Sequence, residues 1–96
     1  MQIALVIGTA VATMKDEQLH SRKLLLVREA DERGQPVGPP RVAVDTVSAG
    51  AGDLVLVAAG SSARQTALTV NAPVDLVIVG VIASLEAGGA VTYRKE

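Results

Sequence analysis

The sequence contains no cysteine, no tryptophan and no phenylalanine, and its single tyrosine and single histidine are Tyr93 and His20. Without cysteine there is no disulfide framework and no thiolate metal site. One histidine cannot build a multi-histidine centre. A core without Phe or Trp must be assembled from Val, Ile, Leu and Ala, which fits an apolar content of 49%. An excess of either charge is also missing. Nine basic and ten acidic residues leave a net charge of −1. That excludes the basic footprint of a nucleic-acid binder and of a protein held on an acidic membrane. No apolar run is long and unbroken enough to span a bilayer. Met1–Gly8 is apolar but lacks a basic leader, and Gly8, Thr9 and Thr13 interrupt the run, so it reads as a strand rather than a signal peptide. A cytosolic location is expected.

What is present fits one domain over residues 1–96. Linkers, repeats and low-complexity segments are absent. Ile3–Thr13 is a β-branched run with Gly8 inside it, and glycine in a strand marks a bulge or sharp bend. Met14–Arg22 is a polar connector. Lys23–Arg28 predicts a second strand, followed by a polar turn at Asp31–Pro36. Pro39 and Pro40 place the start of the third strand near Arg41. Asp53–Ala58 predicts the fourth strand, and Ser61–Leu68 a short helix capped at Gly60 or Ser61. Val74–Leu85, interrupted by Gly80, predicts the fifth strand. Gly88-Gly89 then signals a hairpin that returns Ala90–Tyr93 onto Ile82–Leu85. The pattern predicts an all-β protein: a small five-stranded, OB-like barrel with one short helix before the last long strand and a C-terminal hairpin.

The chain turns about Arg41–Arg64, where two valine-rich runs flank Ser48-Ala49-Gly50-Ala51-Gly52. This loop has almost no side-chain bulk. It suits close packing against copies of itself, or the lining of a narrow opening. Catalytic readings find little support. Asp45, Asp53 and Asp75 could form a carboxylate cluster, but no metal-loop spacing or histidine accompanies them. They read instead as acceptors for turn and strand-end amides. Ser48, Ser61 and Ser62 lack a base in a fixed arrangement and read as loop or cap hydroxyls. Gly50-Ala51-Gly52 is too short for a phosphate cradle and has no P-loop lysine. A single-strand-binding barrel would need aromatic platforms and a basic groove, and has neither. Arg64 has two readings of equal weight from the residues alone: a subunit or anion contact, and an exposed helix arginine.

The order and spacing of these pieces resemble the EutN/CcmL family, the pentameric vertex proteins of bacterial microcompartment shells. The resemblance begins with Ile7–Thr13 and Lys23–Val27. It continues through Val44–Val57 and Gly60–Arg64, and ends with Ala72–Ile82. Ser48 stands where members often carry glycine, and Asp53 where glutamate is common. The tail Leu85–Tyr93 looks more like the ethanolamine and glycyl-radical types than the carboxysome type. The resemblance implies an OB-like protomer in a homopentamer that closes shell vertices beside hexameric shell proteins, within the bacterial cytoplasm. It implies a structural role without catalysis, cofactor, metal, nucleic acid or membrane. Ser48, Ala49, Gly50, Ala51 and Gly52 are the candidates for the five-fold axis, and Asp45, Ser61, Ser62 and Arg64 for the subunit interface. The competing reading is an OB-fold module that binds nucleic acid or a small ligand.

Overall fold

The computed structural model describes residues 1–12, 22–60 and 75–96. Five strands close a barrel: β1 (Gln2–Ala10), β2 (Lys23–Ala30), β3 (Pro36–Asp45), β4 (Leu54–Ala59) and β5 (Leu76–Val81). Their order around the barrel is β1-β2-β3-β5-β4, with β4 returning to β1. β6 (Ser84–Ala87) and β7 (Ala90–Arg94) form a separate two-stranded sheet. Neighbours in the barrel are antiparallel except β3 and β5, which meet in parallel over Val44↔Val77 and Asp45↔Ile78 alone. The Thr46 hydroxyl reinforces this short closure by donating to the Ile78 carbonyl at 2.7 Å.

Strand alternation sorts the aliphatic residues into an inside and an outside. Ala4, Val6, Leu25, Val27, Ala43, Val55, Val57, Leu76 and Ile78 fill the interior, and Ala49 joins them from the loop after β3. Small and branched side chains suit so narrow a barrel, where large rings would overpack the axis. Two further clusters lie on the outer wall. Val44, Ala58 and Val77 form one, with Leu24 and Val79 against them. Ala30, Leu54 and Ile82 form the other, joined by Ile3, Leu5, Leu56, Leu85 and Tyr93.

Several expected boundaries move. β1 ends at Ala10, and Thr13 lies outside the described residues. β2 runs on to Ala30, and β4 starts at Leu54 and includes Ala59. β3 begins at Pro36 rather than near Arg41, despite Pro39 and Pro40. Adjacent prolines face opposite edges of the strand: on one side β5 pairs only with Val44 and Asp45, and on the other the β2 register slips between Arg28 and Ala30, so neither edge demands a regular ladder donor here. The long run expected over Val74–Leu85 breaks at Ile82 and Ala83, giving β5 and β6. The Ile82 N–H still donates to the Leu54 carbonyl at 2.8 Å, one rung beyond Val55↔Val81, so the ladder with β4 ends where β4 itself begins. β7 consequently pairs with Ser84–Ala87, not Ile82–Leu85, through a turn with Gly88 at φ 61° and Gly89 at φ 82°. Both positive angles are what a two-residue hairpin turn demands. The short helix is not borne out: every described element is a strand, and Ser61–Leu68 lies outside the described residues.

The glycine bends are present as bulges. The β1–β2 register slips between Val6 and Gly8, and the β4–β5 register slips where Gly80 faces Leu56. Neither glycine is crowded. A Cβ at Gly8 would meet nothing within 4 Å, and one at Gly80 would reach Leu56 at 3.6 Å, an ordinary contact.

Candidate functional site

Residues 45–53 join β3 to β4 and are tied down along most of their length. Asp45 is 8% exposed, and its carboxylate accepts from the Val47 N–H at 3.0 Å. The Asp53 carboxylate accepts from the Gly50 N–H at 2.9 Å, while the Asp53 N–H donates to the Gly50 carbonyl at 3.0 Å. These are the turn-amide roles that the sequence assigns to the two aspartates. At Asp75, the backbone carbonyl accepts from the Gly60 N–H at 3.0 Å. The Gly52 N–H donates to the Val6 carbonyl at 2.8 Å, and the Val6 N–H to the Asp53 carbonyl at 2.9 Å, so the loop is stitched to the middle of β1. Lys23 closes the other side, its ammonium donating to the Ala49 carbonyl at 3.0 Å.

The five small residues do not share one environment. The Ala49 methyl is buried in the barrel's own core, so its part in the loop's surface is confined to the backbone. Ser48, Ala51 and Gly52 are exposed and Gly50 is half-buried. Ser48 holds φ 60°, the one described non-glycine residue in the left-handed region. That angle gives a physical reason for glycine at this position in the family the sequence resembles. Lys23 and Thr46 were not legible as part of the site. Their partners lie 26 and 32 residues away, and only the barrel register brings them together.

Beside the loop, Ala51, Gly52 and Asp53 share an open trough of about 440 Å³ with Tyr93, Arg94, Lys95 and Glu96. The Lys95 ammonium sits 3.5 Å from the Asp53 carboxylate across it. Acids and bases are mixed here, and no cluster of three or more metal-ligating side chains occurs among the described residues. No described helix is long and apolar enough to cross a membrane. Elsewhere the barrel exposes aliphatic side chains: Ile7 and Val11, Val37 and Val42, Val47 and Val81. The hydrogen bond that Asp45 accepts within its own chain comes from the Val47 N–H. Ser61, Ser62 and Arg64 lie outside the described residues.

A family model described as ethanolamine utilisation protein EutN/carboxysome matches residues 1–82. The shell vertex protein EutN of Salmonella typhimurium is 41% identical over 95 residues, which span 99% of this chain and 96% of that protein. The solved structure of Gloeobacter violaceus CcmL superposes with a TM-score of 0.92 at 40% identity, over 99% of this chain and 98% of that one. GrpN from Rhodospirillum rubrum, a pentameric microcompartment shell protein, superposes with a TM-score of 0.82 at 42% identity, over 91% of this chain and 99% of its own. Identity is as high to an ethanolamine-type relative as to CcmL, so it does not favour the subtype suggested by the tail.

Proposed function

This chain belongs to the EutN/CcmL family of shell vertex proteins, and from that membership we propose that it forms the pentamers closing the vertices of a bacterial microcompartment. The observation that carries the reading is the near-complete superposition on vertex proteins, among them a pentamer. The chain is then a structural component and not an enzyme, and its place is in a shell within the bacterial cytoplasm. Its physical make-up suits this role. A closed ring joins two different surfaces of each protomer. A small barrel that exposes Ile7, Val11, Val37, Val42, Val47 and Val81 gains stability when a neighbour removes them from water. The OB-binding alternative has no aromatic platform or basic groove to stand on.

Within this reading, the part of the loop outside the core, Ser48, Gly50, Ala51 and Gly52, borders the five-fold axis. Its support is small size combined with tight anchoring, which lets copies converge closely. Ser61, Ser62 and Arg64 contact the neighbouring subunit, a placement that rests on the family resemblance. Hexameric shell proteins of the same compartment are the lateral partners. Analytical ultracentrifugation at micromolar protein tests the oligomer: a single species of five protomers is expected, and a monomer or dimer overturns the reading. Co-expression with a hexameric shell protein tests the partners. Closed polyhedra in electron micrographs are expected, and open sheets or tubes would count against vertex closure.

A further inference from the structure

Three strands bring one row of aliphatic side chains to the outer face of the barrel. Leu25, Val27 and Ala43 point into the core, so alternation turns Leu26 and Val42 outward, and these two are Cα partners across β2 and β3. On the other side of β2, the register with β1 slips between Val6↔Val27 and Gly8↔Leu26. Ile7 is therefore the extra residue of the bulge, placed next to Leu26. A bulge re-aims a side chain: Val6 is core, while Ile7 is 40% exposed. Val42 is 49% exposed and Leu26 is half-buried. Ile7, Leu26 and Val42 thus make an uncharged strip across β1, β2 and β3. Arg28, the next outward residue of β2, is held by its own chain, its Nε–H donating to the Gly38 carbonyl at 2.6 Å.

The other exposed aliphatic side chains among the described residues are not joined in this way. Val91 faces Glu86, and Val81 faces the buried Val55. Met1, Val11 and Val47 stand outside the strands, and Val37 lies where the β2–β3 register has slipped. The outer clusters around Val44 and Leu54 are already closed by the chain's own packing.

We propose that the row Ile7–Leu26–Val42 is one of the two unlike faces of the ring contact, and that its occupant is a second copy of this chain. The assignment rests on the pentameric vertex reading and makes it specific. A ring of identical protomers takes two different surfaces of every copy out of water, and GrpN, which superposes on this chain, is a pentameric shell protein. The row is the aliphatic strip that faces water across three strands, and a neighbour covering it desolvates no charge within it. An apolar centre edged by polar groups is how the buried part of a subunit contact is built. The bulge in β1 then serves assembly, because it turns Ile7 toward the neighbour.

The chain has no cysteine, so an introduced thiol reports only its own surroundings. Val42→Cys is compared with Val91→Cys, because the two valines are exposed alike in the protomer, 49% and 45%, and Val91 lies on the separate β6–β7 sheet. Both variants are assayed at micromolar protein, with sedimentation run on the same samples. The thiol at position 42 should react with a maleimide several-fold more slowly than the thiol at position 91. No hexameric shell protein is present, so protection can come only from another copy. Val42→Lys should keep the far-UV circular dichroism of the barrel and sediment as species smaller than the parent. A pentamer in which both thiols react equally fast would overturn the proposal and leave the vertex reading standing. So would a Val42→Lys chain with the parent's mass and melting temperature. If Val42→Lys loses the barrel spectrum, the gentler thiol pair decides alone. A parent that sediments as a monomer would strike the vertex reading itself, and this face with it.

Discussion

Replacing Gly50 with tryptophan should separate folding of the barrel from assembly of the ring. A Cβ built at Gly50 meets nothing within 4 Å, and its φ is not in the left-handed region. The two hydrogen bonds that Gly50 makes to Asp53 use its backbone and survive the substitution. The isolated protomer therefore has open space where the side chain begins, and the substitution is expected to cost it little. In a ring with this loop at the axis, every copy brings an indole to the same place. Overpacking costs about 1–3 kcal/mol per site, so five copies load the ring by roughly 5–15 kcal/mol, as much as the whole folding stability of a small domain. Sedimentation should show folded monomers or small oligomers, while the circular dichroism spectrum stays that of the barrel. Gln35→Trp, in the exposed β2–β3 turn, is the control and should leave the ring intact. Gly52→Trp supplies the contrast. Gly52 sits at φ 91°, so a side chain there strains the protomer itself by about 1–3 kcal/mol, whatever the assembly state. An intact Gly50→Trp ring with unchanged melting would place the loop away from the axis and refute the reasoning.

Gly34→Ala should destabilise by about 1–3 kcal/mol, because its backbone lies at φ 79° and a Cβ would stand 2.9 Å from the Tyr93 ring. A melting temperature within a degree or two of the parent's would show that the ring yields freely. Ser48→Gly should relieve the left-handed conformation and raise stability by about 0.5–1 kcal/mol in urea denaturation; a loss would show that the hydroxyl matters more than the backbone. Asp53→Ala should cost about 1–2 kcal/mol by freeing the Gly50 N–H. Lys95→Ala should change stability by under about 0.5 kcal/mol, since its pairing with Asp53 is largely solvated. Equal losses would mean that the ion pair, rather than the turn, holds the loop.

The barrel was legible because its strands are short apolar runs bounded by turn residues. Which face points inward was not, since Ile3–Ile7, Leu24–Val27 and Leu54–Val57 are apolar at every position, and only the structure puts Ala4 and Val6, Leu25 and Val27, Val55 and Val57 inside. The hairpin turn was legible for a similar local reason, as Gly88-Gly89 needs no tertiary context. What escaped were features decided by neighbours distant in sequence. Pro39 and Pro40 read as breakers, and only the pairings show that β3 is open there on the β5 side and out of regular register on the β2 side. Val74–Leu85 splits where the partner strand β4 runs out, since Ile82 stands opposite its first residue, Leu54, and no local pattern encodes that limit. In the loop, small size was visible but direction was not. Ala49 and Ala51 look alike in sequence, yet one is core and the other surface.

The solitary aromatic of this chain is also its solitary ultraviolet reporter. Tyr93 sits under the hairpin against Gly34 and the outer aliphatic cluster, with none of its ring inside the barrel. Tyrosine emission and near-ultraviolet dichroism therefore record the seating of the hairpin, while far-ultraviolet dichroism records the strands of the barrel. For a two-state domain the two transitions coincide. A tyrosine transition at lower denaturant than the strand transition would mark the hairpin as a separate cooperative unit, read out without adding a label.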